Sequence, residues 1–598
     1  MLTPLVFKPG IYKEGTDYSA EGGWIDCDKM RFRKGMPEKI GGWQKLSTTA
    51  LTGICRAIHT WSDLDGFIRS GLGTHLKYQL EEGGLFYDIT PLRKTTNPLA
   101  NNPIATTNLS SIVTITDVGH GAAVGDYVTI SGATAFGGIA AGALNQEFVI
   151  LTVPTADTYT VETGDAANST TTGGGAAVVA AYQLPIGLAD FVAGLGWGAG
   201  TWGGSVGWGS AATVSIGGTQ LRVWSHDNYG EDLLINPAGY GIYYWDASAG
   251  TSTRAVELST IGDSGDTPTA ANLIMTTDTR QVIAFGVTDI VTGILDPMLV
   301  RWSDEERPAY WTPAADNSAG GQRLAMGSRI IAAQKARGEK LVWTDAALYA
   351  MRPDSEFVYG FGEPIAQVSI VGPNASVMTD SIVYWMDQGQ FYRYTGRVET
   401  IDCTLLDYVF SDINLTQAFK ITCGHNAAFG EVWWWYPSAG SDENDLYVVY
   451  NYRENLWYHG SMERTAWDAS RLRSNPIAAD ATSYIYYHEQ GSNDGDTAMP
   501  AYIESGDMDI GEGDSFWFID RFVPDLKLDA GTVDVEIRGS DWPMTTPSLR
   551  QSFTMNQTQS RPRVRARQVR IKFSSSDQSA KWRLGKVRIG ARQDGRKS

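Results

Sequence analysis

Val383-Tyr384-Trp385-Met386-Asp387, then Gly389, then Phe391-Tyr392-Arg393-Tyr394-Thr395-Gly396 is the stretch that decides the fold. β-Branched and aromatic residues fill two short runs, and Asp and Gly mark the turn between them, which is a hairpin pattern. The phrase recurs. Val342-Trp343-Thr344-Asp345 leads into Leu348-Tyr349-Ala350-Met351, and Leu233-Leu234-Ile235-Asn236 leads through Gly239 and Gly241 into Ile242-Tyr243-Tyr244-Trp245-Asp246. Hairpins returning every ~40–50 residues predict a β-propeller or a related array of small sheets. Such a body is a platform, so function must be sought in what hangs on it.

Working outward, the same aromatic signal marks blade-like units near 53–92, 219–258, 272–316, 326–363, 367–401, 419–462 and 466–504. The best helical candidate is 328–337, which also reads as a strand. Residues 101–180 break the pattern: Ala, Gly, Thr and Val dominate and Trp is absent. Ile112-Val113-Thr114-Ile115, Tyr127-Val128-Thr129-Ile130 and Tyr159-Thr160-Val161 alternate as strands of a small inserted β-domain. After 505 the strictly alternating Asp534-Val535-Glu536-Ile537-Arg538 and Val569-Arg570-Ile571-Lys572-Phe573 predict a C-terminal β-sandwich-like domain with one charged face. The expected fold is therefore all-β. It has an N-terminal arm (1–50), a β-propeller-like body (51–100 and 181–505), an inserted small β-domain (101–180) and a basic C-terminal β-domain (506–598).

Composition agrees with this class. The chain has 598 residues, among them 20 Trp, 27 Tyr and 66 Gly, and aromatic strands joined by glycine turns suit all-β architecture. No run approaches 18 consecutive apolar residues and no signal-peptide pattern opens the chain, so a soluble protein without membrane insertion is expected. The four cysteines, Cys27, Cys55, Cys403 and Cys423, stand far apart and read as reduced and buried, as in a protein made in a cytoplasm.

Net charge is −19, which argues against a general nucleic-acid binder. That average hides an asymmetry. Residues 561–598 hold thirteen Lys and Arg against two Asp, a surplus of eleven, which leaves about −30 on the rest. Arg561, Arg563, Arg565 and Arg567 recur at period two, so a strand would place four guanidinium groups on one face, with Arg570 close behind. That edge suits either a phosphate backbone or an acidic partner protein, and a solvated charged strand is the plainer alternative. Trp197, Trp202 and Trp208 stud a Gly-rich segment at 194–209 and read as loop or subunit anchors, as do Trp24 and Trp43. Sugar stacking is disfavoured for the segment because no polar residues accompany the rings.

Catalytic constellations are not found. The seven histidines are scattered without an HExxH pair, and no GxSxG elbow or GxxxxGK[ST] loop occurs. Gly194-Leu195-Gly196-Trp197-Gly198 has dinucleotide-like glycines without a βαβ context. The acidic turns at 263–266, 493–496 and 509–514 lack the spacing of a calcium loop. Neither an enzyme, nor a metal, nor a cofactor is expected.

The chain ends carry a resemblance. Phe7-Lys8-Pro9-Gly10-Ile11, Glu21-Gly22-Gly23-Trp24-Ile25-Asp26, Lys29-Met30-Arg31-Phe32-Arg33-Lys34-Gly35 and Pro37-Glu38-Lys39-Ile40-Gly41-Gly42-Trp43 resemble the opening of tail proteins from short-tailed bacteriophages. Arg565-Ala566-Arg567-Gln568-Val569-Arg570, Trp582-Arg583-Leu584-Gly585 and Gln593-Asp594-Gly595-Arg596-Lys597 resemble the close of the same family. His120-Gly121-Ala122-Ala123-Val124-Gly125-Asp126-Tyr127-Val128 is similar to small β-modules common in phage structural proteins. The family is the tail nozzle, also called tail tubular or packaged-DNA stabilisation protein. The resemblance implies a homohexamer in the virion tail, assembled in the bacterial cytoplasm below the portal and its head-to-tail adaptor. Tail fibres or spikes and a distal plug or needle would be neighbours, and genomic DNA would pass through without sequence specificity. A net acidic channel wall is expected, with the basic end facing the adaptor or another acidic tail surface. The rival expectations are a propeller-type glycan-binding or glycan-degrading protein of the host surface, and a scaffold in a non-phage assembly.

Overall fold

The computed structural model describes residues 2–16, 18–191, 221–355, 358–509, 515–542, 545–555 and 558–595. The chain is all-β. It consists of small antiparallel sheets that form a propeller-like body, an inserted β-domain and sandwich-like C-terminal sheets. It divides into two compact units, Leu51–Gly321 and a second made of Met1–Ala50 with Gln322–Ser598.

In the unit Leu51–Gly321, three four-stranded meanders run from Cys55 to Asp88, from Trp224 to Glu257, and from Ala271 to the strand Gly320–Arg323 that ends the unit. Between the first and second lies the insertion. Its neck strands, Leu92–Thr95 and Val179–Gln183, pair with each other and continue into Tyr127–Ser131 and Glu147–Val149. A five-stranded sheet lies beside them, and Val113, Ile115, Val128, Ile130, Tyr159, Val161 and Tyr182 fill a core separate from the blades. Inward residues alternate with threonines, as a half-buried strand requires.

A charge network joins the insertion to its host blades. Lys77 Nζ lies 2.8 Å from Asp88 Oδ2, and Arg254 reaches Asp88 Oδ1 at 3.1 Å and Glu147 Oε1 at 3.2 Å. Lys77 and Gln183 also meet Glu147 directly. Two cations thus alternate with two carboxylates across the joint. Deeper in the blades, Tyr78 Oη lies 2.5 Å from His226 Nδ1, and the His226 ring is 5.4 Å from that of His59. Burial and the neighbouring His59 push the His226 pKa down to about 3.

In the second unit, four meanders follow: Ile330 to Phe361, Ser376 to Thr400, Thr422 to Ser461, and Ala466 to His488. Residues 328–337 do not form a helix. Ile330–Ala336 is a strand paired with Glu339–Thr344 across a turn in which Gly338 has φ 78°. The strand Glu431–Tyr436 is buried at every residue, because sheet neighbours and packed aromatics cover both of its faces. A shared device seals blade to blade in both units. Trp467 lies across Gly424 and donates its indole N–H to the His425 carbonyl at 3.2 Å; Trp224 lies across Gly73 and donates to Thr74 at 2.7 Å. A Cβ on Gly424 would stand 2.2 Å from Trp467 Cδ1, so only glycine admits the ring.

The N-terminal arm is threaded through this unit. Its strand Trp43–Lys45 completes the last blade beside Ile485–His488. Trp24–Asp28 pairs with Ala501–Ser505, Met36–Lys39 with Lys581–Leu584, and Leu2–Pro4 with Arg588–Gln593. The C-terminal sheets pack face to face, with Phe522 centred 5.3 Å from Phe553 and 6.4 Å from Phe573. One buried ion triad pins the arm. The Arg31 guanidinium, 1% exposed, lies 2.9 Å from Glu431 and also meets Glu489, with the Phe429 ring 3.6 Å beneath it. Burial alone would lower the Arg31 pKa, and the two carboxylates more than offset it, so the cation persists.

Two stability predictions follow from these buried groups. Arg31→Ala leaves Glu431 buried without its cation and is expected to cost about 3–5 kcal/mol in chemical denaturation; a loss under ~1 kcal/mol would refute the pin. For His226 the folded pKa lies below the unfolded value of about 6.5. Its neutral form therefore contributes stability that is complete above that pH and is lost as pH falls towards 3. Between pH 7 and 5 the loss is about 2 kcal/mol, and His226→Gln should flatten the stability–pH slope in that interval. An unchanged slope would contradict it.

Candidate interaction surface

The C-terminal sheet formed by Leu2–Pro4, Arg588–Gln593, Trp517–Val523 and Val564–Ala566 has two unlike faces. One face carries Ile519, Phe522, Val564, Ala566 and Ile589, all buried. Strand alternation sends their neighbours outward. Register places Arg565, Phe518 and Arg592 in one row across three strands. Arg521 stands opposite Gly590, and Arg588 opposite Val523. Arg521, Arg588 and Arg592 are exposed, as are Arg561, Arg563 and Arg565 on the approach to the last strand.

Aromatic rings hold several of these groups. Arg565 lies 4.0 Å from the Phe516 ring centroid, and Arg592 lies 5.2 Å from that of Phe518. Arg565 also pairs with Asp594 at 2.8 Å. Asp520, the other acidic residue here, is the extra residue of a bulge opposite Gly590. Among the described residues, Arg521, Arg588 and Arg592 hold no ion pair.

The period-two reading of 561–567 places three arginines in solvent, and the fourth departs from them. Arg567 is 7% exposed, sandwiched near Phe516 and Trp542 at 5.1 and 4.3 Å. Arg570 lies on another sheet, where it pairs with Asp507 at 2.8 Å and Glu504 at 3.7 Å. The reason is topological: the chain leaves one sheet after Ala566 and enters the next at Gln568. Both residues brace the C-terminal sheets from within the chain. Trp24 and Trp43 are likewise buried within their own chain. Trp24 packs on Phe7 at 4.3 Å, while Trp43 stacks on His488 at 5.4 Å and donates to Asp494 Oδ1 at 2.5 Å. They anchor the arm within its own chain. Trp197, Trp202 and Trp208 lie outside the described residues. The alternation Lys586-Val587-Arg588-Ile589 is a sequence signal for a charged strand face at Arg588, whereas Arg521 and Arg592 have no comparable local signal.

A polar pocket of about 470 Å³ opens over the charged face of the neighbouring sheet, lined by Lys13, Asp26, Tyr408, Glu504 and Arg570 among others. Asp26 and Glu504 are cross-strand partners. Asp26 accepts from Lys13 Nζ at 2.9 Å and Tyr502 Oη at 3.0 Å, and lies 3.1 Å from His459 Nε2. Burial opposes its ionisation, yet His459 and Lys13 hold its pKa below the ordinary range. Burial pushes Glu504 up, with Arg570 and Lys572 opposing. Burial also pushes the Cys27, Cys403 and Cys423 thiols up, which keeps them protonated. Among the described residues no group of three or more His, Cys, Asp or Glu could hold a metal ion, and no helix is long and apolar enough to cross a membrane.

No protein-family profile and no curated protein sequence matches this chain. Solved structures similar to it include the phage phi92 endosialidase, at 11% identity and TM-score 0.18, over 73% of this chain and 63% of that one. PorZ, a surface component of the type-IX secretion system of Porphyromonas gingivalis, matches at 8% identity and TM-score 0.31, over 90% of this chain and 82% of that one. A glycoside hydrolase family 43 arabinoxylan arabinofuranohydrolase from Bacillus subtilis matches at 11% and TM-score 0.22, over 83% and 96%. Likeness at this level fixes no shared activity.

Proposed function

We propose that this chain is a structural subunit of a short-tailed phage tail: the nozzle, a homohexamer that encloses the DNA exit channel, retains the packaged genome and conducts it at ejection. It would dock to the adaptor and carry fibres or spikes. One observation carries the reading. The two chain ends that resemble the family meet strand to strand, with Glu38 opposite Arg583 and in direct ionic contact with it. Trp24–Asp28 joins the same sheet as Gln568–Ser575 through one intervening strand. Segments more than 500 residues apart in sequence thus form one structural element, as expected of a single inherited pattern. The charge distribution fits: an acidic body offers DNA phosphates no counterion-release gain, so a passing genome does not stick.

A second reading, a glycan-binding or glycan-degrading protein of the host surface, has one place to reside, the pocket bearing Asp26 and Glu504. Two carboxylates with pKa values pushed apart are the raw material of glycoside hydrolysis. Here, however, three side chains already crowd the Asp26 carboxylate, which suits a brace better than a nucleophile.

Negative-stain imaging of the purified chain, run alongside an assay for release of sugar from host envelope glycan, separates the two. Sixfold rings without sugar release are expected. Monomers with turnover that Glu504→Gln abolishes would overturn the nozzle reading.

A further inference from the structure

We propose that the exposed arginine face of the C-terminal sheet is one half of a head-to-tail seam between copies of this chain, and that it seats on the acidic unit Leu51–Gly321 of the next copy. The inference rests on the hexamer reading and adds to it which surfaces meet.

The face is costly in isolation. Arg521, Arg565, Arg588 and Arg592 come from three adjacent strands, and Arg563 from the segment leading into the third; all five are exposed. Register sets the strand arginines opposite Phe518, Gly590 and Val523, so the cost is that of clustered positive charge on one face, which only Asp520 and Asp594 dilute. Every one of the five is Arg, whose planar fork pairs two-pronged with a carboxylate and keeps more of its freedom when stacked on a ring. Phe516 and Phe518 supply such rings to Arg565 and Arg592. The surface is therefore organised to receive many carboxylates at once.

The chain itself carries them. Residues 51–321 hold 26 Asp and Glu against ten Lys and Arg, a net −16. Asp246, Glu257, Asp263, Asp278, Glu305 and Glu306 are exposed there. Charge also selects the symmetry. A twofold contact of the arginine face with itself would oppose like charges, whereas a heterologous contact brings arginines to carboxylates at every joint. Heterologous contacts close into rings when the rotation permits. Free DNA is a poorer occupant, because its phosphates would also meet the acidic remainder of the chain.

The test is light scattering of the full chain across a concentration series, in about 50 mM and about 500 mM NaCl. The triple variant Arg563→Glu/Arg588→Glu/Arg592→Glu spares Arg565, which braces Phe516 and Asp594. Its neutral counterpart, Arg563→Gln/Arg588→Gln/Arg592→Gln, keeps the test open if charge reversal disturbs folding. The wild type should form a discrete multimer whose midpoint concentration rises about tenfold in high salt and about a hundredfold in the Glu variant, with the Gln variant between. A multimer indifferent to salt and to both variants would overturn the seam and leave the ring reading standing. Loss of binding to a labelled DNA duplex in the variants, with self-association unchanged, would reassign the face to phosphate and overturn it as well. A wild type that is monomeric throughout would sink both readings.

Discussion

Everything at the two ends of this chain depends on one buried cation. Arg31 lies in the interior between Glu431 and Glu489, and a guanidinium there is tolerable only while both carboxylates are in reach. An apolar side chain could fill the same space in several registers, whereas a charge that must meet two fixed anions admits one. The triad therefore acts as a register pin. It sets where Met30–Arg33 lies, and with it the strands on either side that complete the last blade and the terminal sheets.

The aromatic wealth of the chain serves the same end of rigidity. The Trp-over-glycine seams join one blade to the next by an indole lying flat on bare backbone, with its N–H capping a carbonyl of the strand it covers. Buried charge is placed at the insertion joint, in the Arg31–Glu431–Glu489 triad and on the terminal sheets.

The blades are legible because their central hairpins are local, two aromatic runs and a turn within about twenty residues; only the last needs a distant strand, Trp43–Lys45, to complete it. The 328–337 segment was ambiguous because Ile330-Ile331-Ala332-Ala333 is a short apolar run that suits either period; the turn at Gly338 and the partner Glu339–Thr344 decide it. The arm's pairings were not legible, since nothing in Met36–Lys39 designates Lys581–Leu584 as its neighbour. For the arginine face the period-two rule reached Arg565 and then failed, because alternation holds only while the chain stays in one sheet. Arg521, Arg588 and Arg592 reach that face from other strands, and register, a long-range property, brings them together.

The closure of the last blade by Trp43–Lys45 also bears on how the protein is made. The arm is synthesised before its partner Ile485–His488, which follows some 440 residues later. At about 5–20 residues per second the arm waits roughly 20–90 s for that strand, and longer for Lys581–Leu584. During that interval its strands have open edges, the kind that pair with other chains. The segment that completes the last blade is made some 440 residues before the strand it pairs with.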